Sequence, residues 1–198
     1  MKKYIFLVIL ISSFTTWSQA EADKKVQLKP ELSIAFISHL YLGDNYLSKG
    51  HKQPAVGALL KLNIMTYKQF LLAFEFEKST LKVDDFEIGG NIDKTNINTF
   101  RGILSYRILV SNKILFDPQV KFGSVNLRQK DGSKFYGNQQ GNTIGVGTDV
   151  FYKLNKTYIL FSNFGYNYSF FRVNTTNEFE DYFNHAHSLT ITIGIKIN

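Results

Sequence analysis

The sequence predicts an all-β protein, an eight-stranded antiparallel up-and-down transmembrane β-barrel with short turns at one end and four long loops at the other. Three observations carry this expectation. Apolar and polar residues alternate with a period of two over stretches long enough to cross a bilayer, no apolar run of helical membrane length follows the N-terminal leader, and short and long connections alternate strictly along the chain. The clearest stretch is Ser188 to Asn198. Leu189, Ile191, Ile193, Ile195 and Ile197 share one face there, and Ser188, Thr190, Thr192, Gly194, Lys196 and Asn198 share the other. No helix has that period. Five apolar side chains in a row suit lipid, which leaves the polar face to line a lumen. An open strand edge in hydrocarbon strands its N–H and C=O groups, so the sheet has to close on itself.

Taken in order, Met1 to Ala20 combines Lys2 and Lys3, an apolar run from Tyr4 to Ile11, and the small-residue site Ser18-Gln19-Ala20. This is the pattern of a secretory signal peptide, cleaved after Ala20 or Ala22. An uncleaved anchor would need a longer run than one broken by Ser12, Ser13, Thr15 and Thr16. Glu21 to Pro30 reads as a short polar tail on the periplasmic side. About 178 residues then remain, enough for one barrel domain over 31–198. The formal net charge of +7 falls to near +5 once Lys2 and Lys3 leave with the leader, and it is spread rather than clustered, which argues against a nucleic-acid surface. With no cysteine in an exported chain, stability has to come from packing and hydrogen bonds rather than from disulfides.

Eight segments carry the alternation: Glu31 to Leu42, Ala55 to Thr66, Phe70 to Lys78, Asn98 to Val110, Ile114 to Val125, Thr143 to Lys153, Tyr158 to Phe171, and His187 to Asn198. On the second and third, Val56, Leu60, Leu62, Phe70, Phe74 and Phe76 point out, while Lys61, Asn63, Glu75 and Glu77 point in. The fourth sets Phe100, Leu104 and Tyr106 over Arg101, Ser105 and Arg107, and the fifth sets Phe116, Val120 and Phe122 over Asp117, Gln119 and Lys121. The first strand fits least well, because Ile37 and Tyr41 share the inner face with Ser33, Ala35 and His39. Pro118 removes a ladder donor and is expected to mark a bulge.

Tyr67-Lys68-Gln69, Ser111-Asn112-Lys113 and Leu154-Asn155-Lys156 make the short turns, where asparagine suits a left-handed conformation. Gly43 to Pro54, Ser79 to Ile97, Asn126 to Asn142 and Arg172 to Ala186 make the long polar loops, all at one end. Each turn fixes a register. Around Lys68 it sets Lys61 against Glu75, and around Asn112 it sets Arg107 against Asp117, so opposite charges meet twice on the inner face. These four are read as structural lumen pairs, since a small barrel fills its interior with side chains and buried charges need partners.

In its leader, its eight alternating strands and its one-ended long loops, the chain resembles the eight-stranded outer-membrane β-barrels of Gram-negative envelopes, the OmpX-like and PorT-like single-domain barrels. The resemblance spans nearly the whole mature chain and rests on pattern, not on a short motif. It implies both termini in the periplasm, long loops on the cell surface, heat-modifiable gel migration, and delivery by the barrel-assembly machinery as a monomer surrounded by lipid and lipopolysaccharide. Such barrels commonly end in an aromatic residue, whereas this sequence ends Ile195-Lys196-Ile197-Asn198. A secreted lipocalin-like lipid-binding barrel shares the alternation with the apolar face turned inward. It is disfavoured by the missing Gly-x-Trp motif, the regular loop alternation, and the tyrosines near strand ends (Tyr106, Tyr152, Tyr158, Tyr166 and Tyr168).

Two lipid A-modifying enzymes, a deacylase and an acyltransferase, share this architecture, and the densest set of catalytic residue types here is Asp181, His185, His187 and Ser188. His187 and Ser188 are adjacent, so on a strand they point to opposite faces and cannot share a proton. His185 and His187 without a placed carboxylate or cysteine make a weak metal site. No catalytic residue, cofactor or metal is therefore expected. The expected role is structural or surface-interacting, through the long loops and their aromatic residues Tyr46, Phe86, Phe135, Tyr136, Phe179, Tyr182 and Phe183, toward an extracellular protein or glycan.

Overall fold

Period-two alternation dictates which atoms meet solvent, and in the computed structural model, which describes residues 26–28, 30–86, 91–173 and 177–197, the large apolar side chains lie on the outside. The leader Met1 to Ala20 lies outside the described residues, as do the side chain of Phe179 and residues 174–176. The strands are β1 (Glu31–Leu42), β2 (His51–Tyr67), β3 (Phe70–Val83), β4 (Lys94–Tyr106), β5 (Ile114–Asp131), β6 (Lys134–Lys153), β7 (Tyr158–Phe171) and β8 (His185–Ile197). Ile108–Leu109 continues the line of β4 beyond Arg107. Among the described residues, helices α1 (Tyr46–Lys49) and α2 (Asn177–Asn184) sit in the first and last of the long connections. Each strand pairs antiparallel with its sequence neighbours, and β1 pairs with β8, which closes the ring.

Closure settles the sidedness that alternation alone leaves open. Ile34, Phe36, Phe76, Phe100, Phe122, Ile144 and Ile193 are exposed, whereas Ser33, Lys61, Glu75, Arg101, Asp149 and Lys196 are buried. A lipocalin-like interior is thereby excluded. The exposed band is the surface that hydrocarbon, not water, stabilises, because solvated apolar side chains would otherwise cost about 25 cal/mol per Å².

Apolar residues on the inner face of β1 find a use at the two ends of the lumen. Ala35 and Ile37 pack with Leu59, Leu115, Phe151, Ile159 and Phe161 toward the turn end. Tyr41 joins Tyr46, Leu47, Ala55, Leu81, Ile97, Leu127 and Phe171 at the loop end.

Three local expectations are corrected. At Pro118 the register continues unshifted, from Ser105 opposite Gln119 to Ile108 opposite Phe116. The missing N–H interrupts the ladder without a bulge, and the Arg107 amide turns instead to the Gln69 carbonyl at 2.7 Å. The turn after β2 has two residues, Lys68 and Gln69, with Lys68 left-handed at φ 56, and the odd residue is taken up by a register shift between Asn63 and Met65. Asparagine works through its side chain instead: Asn155 Oδ1 accepts from the Thr157 and Tyr158 amides at 2.8 and 2.7 Å. Finally, the stretch Asn126 to Asn142 is not a loop. β5 and β6 run on as a hairpin to Asp131 and Lys134, because Ser124, Asn126, Arg128 and Gln140 pair as well in water as apolar residues do in lipid.

Candidate functional site

The lumen is a layered ion network. Arg101 Nε donates to Glu75 at 2.9 Å, its Nη1 donates to Asn167 at 3.2 Å, and its Nη2 donates to Glu77. Lys121 reaches the same Glu75 carboxylate at 3.1 Å, while Glu77 also accepts from His39 at 2.6 Å and Ser79 at 3.1 Å. One layer nearer the turns, Asp149 accepts from Lys61 at 2.5 Å, Gln119 at 3.0 Å and Asn163 at 2.7 Å. At the turn end Lys196 pairs with Glu31 and lies 4.8 Å from the Phe151 ring centroid. Glu31, Glu75, Glu77, Asp117 and Asp149 face Lys61, Arg101, Arg107, Lys121 and Lys196, so the interior is charge-balanced. Balance of this kind is what dehydrated charges require.

Of the two anticipated pairs, Arg107 and Asp117 meet at 2.8 Å, with Asp117 buried and Arg107 partly open at the turn end. Lys61 and Glu75 stand opposite in register but do not bond. The correction has a geometric cause. Side chains on the inner wall of a narrow barrel reach across it, so Lys61 spans to Asp149 and Glu75 is taken by Arg101 and Lys121 from β4 and β5. Sequence arithmetic along one hairpin sees neighbours in the ladder and cannot see partners across the lumen.

At the loop end, α1 turns inward. Asn45 caps it, its side chain accepting the Ser48 amide at 3.0 Å while the Ser48 hydroxyl takes the Asn45 amide at 3.3 Å. Tyr46 is consequently buried rather than a free surface anchor. Its hydroxyl accepts from Gln129 at 2.8 Å, and its ring packs 5.3 Å from Phe183, which abuts Tyr182 at 5.0 Å. His51 links this plug to the wall, 2.7 Å from Thr95 Oγ1 and 3.2 Å from the Tyr46 carbonyl. These two groups lie above the apolar band. Burial pushes the Tyr46 phenol up, with bonds from Thr95 and Gln129 opposing, and pushes His51 down against the pull of the Tyr46 carbonyl. Of the other loop aromatics, Phe86, Phe135 and Tyr136 are exposed, and Tyr182 and Phe183 are half-buried against the plug. Phe179 lies outside the described side chains.

The histidine stretch divides as its parity requires. Ser188 is buried in the lumen, in register between Tyr41 and Asn167, while His187 lies on the outer wall in a hydrogen bond with the Tyr166 hydroxyl and 4.8 Å from the Tyr168 ring. His185 stands 6.3 Å from His187, ring to ring, and Asp181 is exposed on α2. Among the described residues no group of three or more His, Cys, Asp or Glu is placed to hold a metal ion.

No family model matches the chain, and no curated protein matches it. Solved structures do. Neisserial surface protein A superposes with a TM-score of 0.64 at 11% identity, covering 88% of this chain and 99% of that one. The attachment invasion locus protein Ail of Yersinia pestis gives 0.52 at 9% identity over 85% and 96%, and 0.54 when in complex with the heparin analogue sucrose octasulfate. A major outer membrane protein of Thermus thermophilus gives 0.51 at 11% identity over 85% and 99%. The fold is therefore that of the eight-stranded outer-membrane β-barrels.

Proposed function

We propose that a chain with this fold is a non-enzymatic outer-membrane barrel that contacts other molecules through its loop end. In this reading a secretory leader is removed near Ala20, assembly proceeds through the barrel machinery, and the monomer stands with its termini in the periplasm and its loop end on the cell surface. The observation that carries it is the β5–β6 hairpin. Among the described residues, β6 pairs with β7 from Gly141 onward and the Gln140 carbonyl still accepts the Arg172 amide at 3.0 Å, so residues 134–139 have β5 on one side and an open ladder edge on the other. Phe135 and Tyr136, 59% and 55% exposed, stand on that segment. An open edge with aromatic side chains is a template for an extended partner segment, since backbone groups supply affinity and alternate side chains supply selectivity. Membrane barrels of this size have lumens packed with side chains, and the ion network and two apolar clusters here support a structural interior over a diffusion pore.

The test replaces Phe135 and Tyr136 by Ser, alone and with Asn138→Pro to block edge pairing, and measures adherence of expressing cells to immobilised extracellular protein and sulfated glycan. The glycan arm follows from the heparin analogue bound to the Yersinia protein of the same fold. Loss of adherence with unchanged surface display supports the reading, and undiminished adherence rejects it. The enzyme alternative, lipid A deacylation or acylation, is checked by mass spectrometry of lipid A. An acyl count that changes with expression and reverts in His187→Ala would replace the binding role with a catalytic one.

A further inference from the structure

We propose that the outer wall over β2–β5 is a lateral binding site for phosphate-bearing glycolipid headgroups, held by a row of lysines that the register brings side by side. Lys52 stands opposite Lys82, Lys82 opposite Lys94, and Lys94 opposite Lys130, across four consecutive strands. Opposed residues of an antiparallel ladder face the same way. The sequence neighbours His51, Leu81 and Thr95 are buried in the lumen, so the lysines face out. With strands about 4.8 Å apart, the row spans roughly 15 Å.

Like charges placed directly opposite destabilise a sheet, and here the placement occurs three times in succession. Two further cations lie below the row on the same face, Arg128 opposite Asn96 and Lys78 opposite Asn98. Among the described residues none of these six cations is in an ion pair. Asp84 lies exposed just past the end of β3 with no ion pair to Lys82, and two other neighbouring carboxylates are directed elsewhere. Asp93 accepts from the Gly132 amide at 2.7 Å, and Asp131 faces Lys134 across the hairpin turn. Farther down β5 from Lys130 and across β6, Ser124, Asn126, Gln140, Asn142 and Arg172 line a polar depression suited to sugar hydroxyls. The opposite wall lacks the pattern: above its apolar band β7 and β8 carry Tyr168, Phe170, His185 and His187, with Arg172 as a single cation past the end of β7. Solubility alone would not call for charge on one side.

Height selects the ligand class. The last apolar rung is Phe76 opposite Phe100, and Lys78 follows it directly while Lys82 stands farther out on the same strand. From Phe76 to Lys82 is about 20 Å of strand, or roughly 15 Å along the membrane normal at barrel tilt. A phospholipid offers one phosphate in a thin layer. A headgroup with phosphates at successive heights, on a sugar scaffold, matches an oblique cationic stripe of this depth. The proposal rests on the chain spanning an outer membrane and is independent of the hairpin edge.

The test uses the full mature chain in detergent, titrated with fluorescent lipopolysaccharide and with the same lipid after enzymatic dephosphorylation. Three forms are compared: wild type, a variant with Lys52, Lys82, Lys94 and Lys130 each replaced by Gln, and a turn-end control with Lys113, Lys153 and Lys156 replaced by Gln. Affinity is expected to fall about fivefold for each row lysine removed, to fall likewise for wild type on the dephosphorylated lipid, and to hold in the control. Because the quadruple variant removes repulsion, its heat-modifiable migration and unfolding midpoint without lipid should equal or exceed wild type. Equal affinity of the quadruple variant, undiminished binding of the dephosphorylated lipid, or complete displacement by a soluble sulfated oligosaccharide would each overturn the site. None of these results bears on the Phe135 and Tyr136 variants, so the two readings fail separately.

Discussion

Glu75 illustrates how the interior works at the scale of single residues. Fully buried, it accepts from both Arg101 and Lys121, so its loss would strand Lys121 and leave Arg101 with Glu77 as its one carboxylate. Breaking a buried pair by removing one member costs about 3–5 kcal/mol, whereas removing both members costs far less. Lys61 and Asp149 are therefore expected to show strong coupling in a double-mutant cycle of Lys61→Met and Asp149→Asn, read from urea unfolding in detergent. Lys61 with Glu75→Gln should couple more weakly, since the two are ladder neighbours without a bond. Equal coupling energies in the two cycles would contradict the cross-lumen assignment. Parity alone places all three residues on the inner face, and their partnership depends on barrel diameter, which no local pattern encodes.

Among the elements, the glycines of the β4–β5 contact separate necessity from accident. A Cβ on Gly123 would lie 1.9 Å from the Phe100 carbonyl oxygen and 2.7 Å from Arg101 Cα, both backbone atoms that cannot yield without opening the ladder. On Gly102 it would meet nothing nearer than the Phe122 oxygen at 3.8 Å. Gly123→Ala is thus expected to cost at least the ~1–3 kcal/mol of an overpacked core and to reduce the heat-modifiable fraction on refolding, while Gly102→Ala should refold like wild type. Indistinguishable refolding yields would show that β4 and β5 approach less closely than the backbone indicates. The hairpin belongs to this scale too. Polar alternation past Val125 resembles loop composition, yet β5 and β6 continue there because two strands already held in register extend at little entropic cost.

For the molecule as a whole, the decisive quantity is the environment of the outer band. Ile193, at the middle of the outer apolar run Leu189 to Ile197 of β8 and 65% exposed, would tolerate Lys if the barrel stood in water, where exposed apolar-to-polar changes stay within ~0.5 kcal/mol. In a bilayer the same change at mid-depth costs about 2–4 kcal/mol. Ile193→Lys is expected to lower the unfolding free energy by that amount in phospholipid vesicles, and Lys196, one layer inside, shows that a cation on the other face of the same strand is accommodated by Glu31. A neutral effect of Ile193→Lys in vesicles would argue against a membrane-spanning band.

The sequence by itself determined what is periodic: the strand number, the inward or outward direction of almost every side chain, the two hairpin registers, and the separation of His187 from Ser188 by parity. Each of these is a local consequence of a two-residue repeat and a short turn. Tertiary structure alone decided what depends on closure. It carried Lys61 past Glu75 to Asp149, drew Tyr46 from the surface into the mouth, and aligned Lys52, Lys82, Lys94 and Lys130 from four separate strands. The reason is physical. Alternation fixes directions along one strand, whereas distances across a lumen or around a wall depend on how many strands close the ring and by how much each slides against the next.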